Sequence, residues 1–290
     1  MLWFLIGSSL VFLVAVYLWL WKKITSEIPA SYPSQANRQK IDTSKKILVC
    51  LGDSNTHGLV SYNWVSDLER MYPDWQVFNA GINSDLTYTL LQRLEDVIAC
   101  KPDFVTILIG TNDINATMSE QLEKSYKQMG RITKDTFPDF DGFRRNYTEI
   151  IQRIKNETHA KIALISLPVM GEDLTHTANQ KADEYSEFIR ELAYHENLSY
   201  LPLREKQKDF LQAHPQPLKH RFEETMKLFI SSLIYHFVLG KNWDYTSQKH
   251  GYQLTPDNLH MNSTAGQMIR DLVKNFIDAE TNRQSTNIEK

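Results

Sequence analysis

Four short polar clusters stand out in this sequence: Gly52-Asp53-Ser54, Asn79-Ala80-Gly81, Gly110-Thr111-Asn112-Asp113 and, near the C-terminus, Asp257-Asn258-Leu259-His260. Singly, each is ordinary turn chemistry, because Gly, Asn, Asp and Ser favour turns for backbone reasons. Together they hold the parts of an acyl-transfer site. A serine hydroxyl such as that of Ser54 attacks a carbonyl only when a base takes its proton, and His260 can be that base. Asp257, three residues earlier, can hold the other imidazole nitrogen and stabilise the imidazolium from one turn. The tetrahedral intermediate needs fixed donors for its oxyanion. The backbone N–H groups of Ser54 and Gly81 and the side-chain amide of Asn112 can supply three.

For these clusters to meet, the elements that precede them must end at one edge. Short apolar runs at residues 47–51, 76–79, 104–109, 161–167 and 198–203 predict buried strands. Helix-period segments lie between them at 62–71, 86–99, 119–134 with 143–156, and 179–196. Such alternation predicts an α/β fold with a central parallel sheet of about five strands, covered on both faces. Open sheets of this kind bind ligands beyond the carboxyl ends of the strands. Three of the polar clusters directly follow apolar runs, and the fourth precedes a last predicted helix at 263–278, whose Thr264 and Gln267 fit a capping box.

The pieces Gly-Asp-Ser, Asn-x-Gly, Gly-Thr-Asn-Asp and Asp-x-x-His, in this order, resemble the four blocks of the SGNH (GDSL-type) hydrolases over residues 46–278. The resemblance implies a flavodoxin-like three-layer α/β/α sandwich and carboxylic ester cleavage through an acyl-enzyme, with no cofactor or metal. It implies Ser54 as nucleophile and oxyanion donor, Gly81 and Asn112 as the rest of the hole, and His260 with Asp257 as the rest of the triad. The chain departs from the pattern at three places. Ser84 stands where members often have a second glycine, Met261 where proline commonly follows the histidine, and the step from His260 to Gly266 is one residue longer than usual. The Gly-x-Ser-x-Gly elbow and the phosphate-cradling Gly-x-x-x-x-Gly-Lys loop are absent from the sequence.

Other side chains read as supporting parts. Asp53 should order the turn at the serine, Asp113 should hold the Asn112 loop, and His57 should face the cleft rim or solvent. The remaining histidines show no metal-ligand pairing, and Cys50 and Cys100 read as buried free thiols. Residues 218–239 carry Phe222, Met226, Phe229, Ile230, Leu233 and Phe237 on one helical face. Packing into the core is the favoured reading of that face; the other is a cap offering apolar surface to an acyl chain or a bilayer. Insertions at about 115–141 and 206–250 are the expected walls of the site.

A net charge of −3 gives no electrostatic reason for a nucleic-acid partner. Residues 2–21 carry no charge, about the length of roughly 20 residues that crosses a bilayer. Trp3, Trp19 and Trp21 lie near the ends and Lys22-Lys23 follows. A cleaved signal peptide fits less well, for no positive n-region precedes the run and no small-x-small site follows it. The expectation is a single-pass anchor over 1–23, a tether over 24–45, the hydrolase domain over 46–279 and a disordered tail over 280–290. Basic residues after the span lean the domain towards the cytoplasm, though the side stays open. Expected partners are the membrane and a small-molecule or lipid ester; the oligomeric state is open. Lipid or long acyl esters are slightly favoured as substrates. Removal of acetyl from a carbohydrate, acyl transfer, and a non-catalytic tethered binding module are the alternatives.

Overall fold

The computed structural model describes residues 14–16, 18–133 and 138–288. Five strands, β1 (Ile47–Gly52), β2 (Gln76–Gly81), β3 (Phe104–Leu108), β4 (Lys161–Ile165) and β5 (Ser199–Leu201), form one sheet in the order β2-β1-β3-β4-β5. Every pairing is parallel, which requires a crossover after each strand. All six residues of β1 and all five of β3 are buried, as expected for strands covered on both faces. The register sets Gly52 beside Gly81 and beside Leu108, so the first three strands end level with one another.

The helices relevant to the site are α1 (Ser54–His57), α2 (Trp64–Met71), α3 (Thr87–Gln92), α4 (Leu94–Ile98), α5 (Thr111–Ala116), α6 (Glu120–Gln128), α7 (Phe140–Glu157), α8 (Thr177–His195), α9 (Leu203–Ala213), α10 (Thr225–Leu233), α11 (Trp243–His250) and α12 (Ser263–Ile288). Two groups flank the sheet: α12 packs with α2 and α9, and α7 packs with α3 and α8. The segment expected as one helix over 86–99 is broken at Arg93 (φ −110°, ψ 11°). Its guanidinium is drawn to Asp85 Oδ2 (2.6 Å) and to the Gly52 carbonyl (3.0 Å), which ties the break to the end of β1.

The structure bears on three of the expected boundaries. Helix α12 runs on to Ile288, into the stretch expected as a tail over 280–290. Neither glycine nor proline stops it, Thr281 Oγ1 donates to the Ile277 carbonyl (2.8 Å), and Arg283 pairs with Glu280 (2.5 Å). The tether over 24–45 is strapped to the domain. Tyr32 is buried and donates to Asp96 Oδ2 (2.9 Å), Arg38 pairs with the other oxygen of that carboxylate (2.5 Å), and Ser31 donates to Glu69 (2.8 Å). The expected anchor over 1–23 lies largely outside the described residues. Residues 14–16 and 18–26 are helical, and among the described residues no helix is long and apolar enough to cross a membrane.

Candidate active site

β1 delivers the chain to its carboxyl edge, where Asp53 caps α1 by accepting the Asn55 N–H on Oδ1 (2.9 Å). Ser54 is therefore the first residue of a helix pointing away from the sheet end. Glycine is required just before it, since a Cβ on Gly52 would sit 2.3 Å from Thr56 Oγ1 and 2.4 Å from the Leu108 carbonyl oxygen. The last cluster arrives from 206 residues away: His260 Nε2 lies 3.1 Å from Ser54 Oγ. His260 Nδ1 lies 2.8 Å from Asp257 Oδ2. Asp257 Oδ1 meanwhile accepts the backbone N–H groups of Leu259 (3.1 Å) and His260 (2.9 Å), so one carboxylate shapes the turn and orients the ring. A proton on Nδ1 satisfies the carboxylate, which leaves Nε2 to accept from the serine hydroxyl.

Asn55 and Ser61, which sequence reasoning passed over, hold the two distant loops together. Asn55 Nδ2 donates to the Leu259 carbonyl (3.0 Å) and Asn55 Oδ1 accepts from Ser61 Oγ (3.1 Å). Ser61 Oγ in turn accepts the Met261 N–H (2.9 Å), and the Tyr62 N–H donates to the Met261 carbonyl (2.8 Å). An asparagine after a turn serine has no distinguishing signal in sequence, because turns favour it in any case.

Asn112 sits in the first turn of α5. Its Oδ1 accepts the Tyr126 hydroxyl (2.6 Å) and its Nδ2 donates to the Asp85 carbonyl (3.0 Å), which leaves one amide N–H over. Tyr126 belongs to α6, so the 115–141 insertion buttresses this amide from behind. Asp113 accepts the Thr87 N–H and hydroxyl (2.6 Å to the latter) and so pins α5 to α3.

The expectation that Gly81 lends its N–H to an oxyanion is not met. That N–H donates to Asn79 Oδ1 (3.0 Å), while Asn79 Nδ2 donates to the carbonyls of Thr56 (3.0 Å) and His57 (3.1 Å). Gly81 is glycine for another reason: a Cβ there would sit 2.1 Å from the His57 backbone nitrogen. The free amide lies three residues on. Ser84 adopts the left-handed conformation (φ 62°) that glycine reaches without strain, and its N–H meets no acceptor among the described residues. The Ser54 N–H is likewise without one. Asp85, next to Ser84, supplies the carbonyl that holds Asn112.

Two buried titratable groups lie beneath the site. Burial pushes the Asp53 carboxyl up to about 7, against the pull of the Asn55 N–H and nearby His260, and with added repulsion from Asp113 and Asp85. Its Oδ2 accepts nothing among the described residues, so nothing offsets the lost hydration of a charge there. His57 is not at the cleft rim; it is buried, and burial pushes its imidazole down to about 4.

Residues 218–239 form no single core helix, although Leu228 and Leu233 are buried and Phe222 packs on the main core. A 3-10 turn (Phe222–Glu224) leads into α10, which passes into a π turn at Ile234–Val238. The Phe229 ring lies against His260 (centroids 5.3 Å apart, 31° between planes), and Asn258 (φ 76°) is tied to α10 through Thr225 Oγ1 (3.1 Å). Leu233 is buried, yet Met226 and Ile230 face outwards. Through Phe229 this segment packs against the His260 ring.

A family model described as "GDSL-like Lipase/Acylhydrolase family" matches residues 50–237. Among solved structures, a catalytic mutant of an acetylxylan esterase from Geobacillus stearothermophilus is similar with a TM-score of 0.55 at 18% identity, over 81% of this chain and 94% of that one. An alpha/beta hydrolase enzyme from the metagenome of Lake Arreo, Spain, is similar with a TM-score of 0.53 at 17% identity, over 79% and 93% of the two chains. At such identities the likeness is one of fold. No curated protein matches the chain.

Proposed function

The chain belongs to the GDSL-like lipase/acylhydrolase family and is a carboxylic ester hydrolase, and from that premise we propose that Ser54, His260 and Asp257 carry the reaction. Ser54 Oγ attacks the ester carbonyl carbon as its proton passes to His260 Nε2, and Asp257 holds the imidazolium that results. The oxyanion is received by the N–H groups of Ser54 and Ser84 and by the remaining N–H of Asn112. Collapse of the tetrahedral intermediate breaks the ester C–O bond, and His260 returns the proton to the departing alkoxide. Water, deprotonated by the same imidazole, then attacks the Ser54 ester and releases the acid. The observation that carries this reading is the unbroken chain Ser54 Oγ–His260 Nε2 (3.1 Å) and His260 Nδ1–Asp257 Oδ2 (2.8 Å). Ser54→Ala should abolish hydrolysis of p-nitrophenyl butyrate with an unchanged circular-dichroism melt. Retention of the wild-type rate would overturn the mechanism.

The substrate we favour is a lipid or long-chain acyl ester, because Phe229 brings the apolar cap directly over the catalytic imidazole. The uncharged run over residues 2–21 supports single-pass anchoring, and the lysines after it support a domain on the cytoplasmic side. Protease accessibility in intact cells tests the side. A second reading, removal of acetyl from a sugar, is supported by an open cavity of about 680 Å³ behind the histidine loop. Tyr245, Tyr252, Gln248, Gln253 and Asn262 line it, a mix of rings and amides suited to a saccharide, whereas Ser54 and His260 do not line it. The names of the structurally similar acetylxylan esterases point the same way. A p-nitrophenyl ester series from two to sixteen carbons separates the readings: preference for long chains supports the first, and activity confined to acetate defeats it.

A further inference from the structure

We propose that the outer face of the cap seats on a lipid bilayer, so that the mouth of the site opens at the membrane surface; this rests on the esterase reading above and names the partner of that same site. α10 and the π turn after it present Met226, Ile230, Ile234 and Val238, spaced four apart, with 56%, 46%, 41% and 45% of their surfaces exposed. An apolar row of this length left exposed among the described residues is unusual on a soluble surface. The adjoining face of the same segment is occupied. Phe229, Leu233 and Phe237 share one apolar cluster with Leu59, Val60 and, from the N-terminal helical segment, Val16, Leu20 and Ile24. Trp19 meets Phe237 edge-on (6.3 Å between centroids), and Asn83 Nδ2 donates to the Ile24 carbonyl (2.8 Å), fixing that segment one residue from Ser84.

The occupant follows from what this neighbour is. Val16 and Leu20 lie in the final third of the uncharged run over 2–21, and Val14, Leu18 and Trp21 of the same segment are exposed. A helix committed to an apolar medium carries the element packed along it to the same depth. Cap and N-terminal helix thus form one apolar surface, continuous through the cluster of Leu20, Val60 and Leu233 and the Trp19–Phe237 ring contact. Lysines border it: Lys22 and Lys23 end the N-terminal run, and Lys227 and Lys241 are exposed at the cap. Apolar side chains flanked by lysine are the pattern of a helix lying in the interface of an anionic bilayer.

The test uses the full-length protein reconstituted into phosphatidylcholine–phosphatidylglycerol vesicles. Met226→Glu, Ile230→Glu and Ile234→Glu, combined, should lower hydrolysis of a long-chain fluorogenic ester dissolved in the bilayer by about tenfold or more while leaving soluble p-nitrophenyl acetate turnover within about twofold. Equal retention of both activities overturns the proposal. Should the triple variant misfold, Ile230→Cys bearing an environment-sensitive fluorophore gives an independent answer. Its emission should shift to the blue on addition of vesicles, and an unshifted emission, or a shift produced by protein concentration alone, overturns bilayer seating. Loss of all ester hydrolysis in the wild type would instead strike the esterase reading, which the fluorophore does not depend on.

Discussion

Asp257 divides its two oxygens between a turn and a ring, and this division makes its amide isostere informative. In Asp257→Asn the Oδ1 contacts to the Leu259 and His260 N–H groups survive, so the fold should hold. An amide N–H opposite His260 Nδ1, however, forces the proton onto Nε2, where it can no longer accept from Ser54. We expect kcat to fall by about 10⁴ with little change in melting temperature. Tyr126→Phe probes the oxyanion side more gently. Loss of one hydrogen bond to Asn112 Oδ1, about 1 kcal/mol, should lower kcat several-fold and leave KM nearly unchanged. Ser54, Asn112, Asp257 and His260 were legible in sequence because acyl transfer needs those side chains and only side chains are written there. The choice between Gly81 and Ser84 as donor is not legible there, because it rests on which backbone N–H is already occupied. Tyr126 and Asn55 act through contacts that no local spacing announces.

The elements obey simpler rules, and more of them could be read in advance. Each apolar run became a strand, because a parallel sheet covered on both faces needs continuous rather than alternating apolar residues. The break at Arg93 could not be read, since it depends on the distant Gly52 carbonyl. The contact of β2 with α1 leaves no room for a side chain at Gly81. Gly81→Ala would drive a methyl into the His57 backbone (2.1 Å), so it should unfold the domain or cost several kcal/mol in urea melts, whereas an oxyanion role alone would leave stability untouched. The charge beneath α1 gives a pH signature. The folded-state pKa of Asp53 is raised, from 3.8 to about 7, so its stabilising contribution is complete below pH 3.8 and is lost as pH rises through about 7. Asp53→Asn should therefore melt progressively higher than wild type between about pH 4 and 7, with a constant gap above that range. A gap independent of pH would contradict the burial of that carboxyl. His57 runs the other way: its pKa is depressed to about 4, so its contribution is present above pH 6.5 and is lost as pH falls towards 4.

For the whole molecule, the structure brings an N-terminal segment and the histidine loop to one place. The N-terminal helical segment, the cap and the histidine loop meet around Phe229. The supposed tether is bound to the domain at Tyr32 and Arg38, so the catalytic edge is held in a fixed relation to whatever carries residues 14–26. Composition revealed the apolar run, but not that its last residues would pack on the catalytic domain. That contact pairs residues 16–24 with 229–237, far outside any sequence window. The central claim remains that the hydroxyl of Ser54 is activated by His260, and intact-protein mass spectrometry after a fluorophosphonate probe tests it most directly. The expected result is a single adduct, mapped to Ser54, that forms slowly in His260→Ala and not at all in Ser54→Ala. Folded wild-type protein that stays unlabelled, or that carries the adduct on another residue, would contradict it.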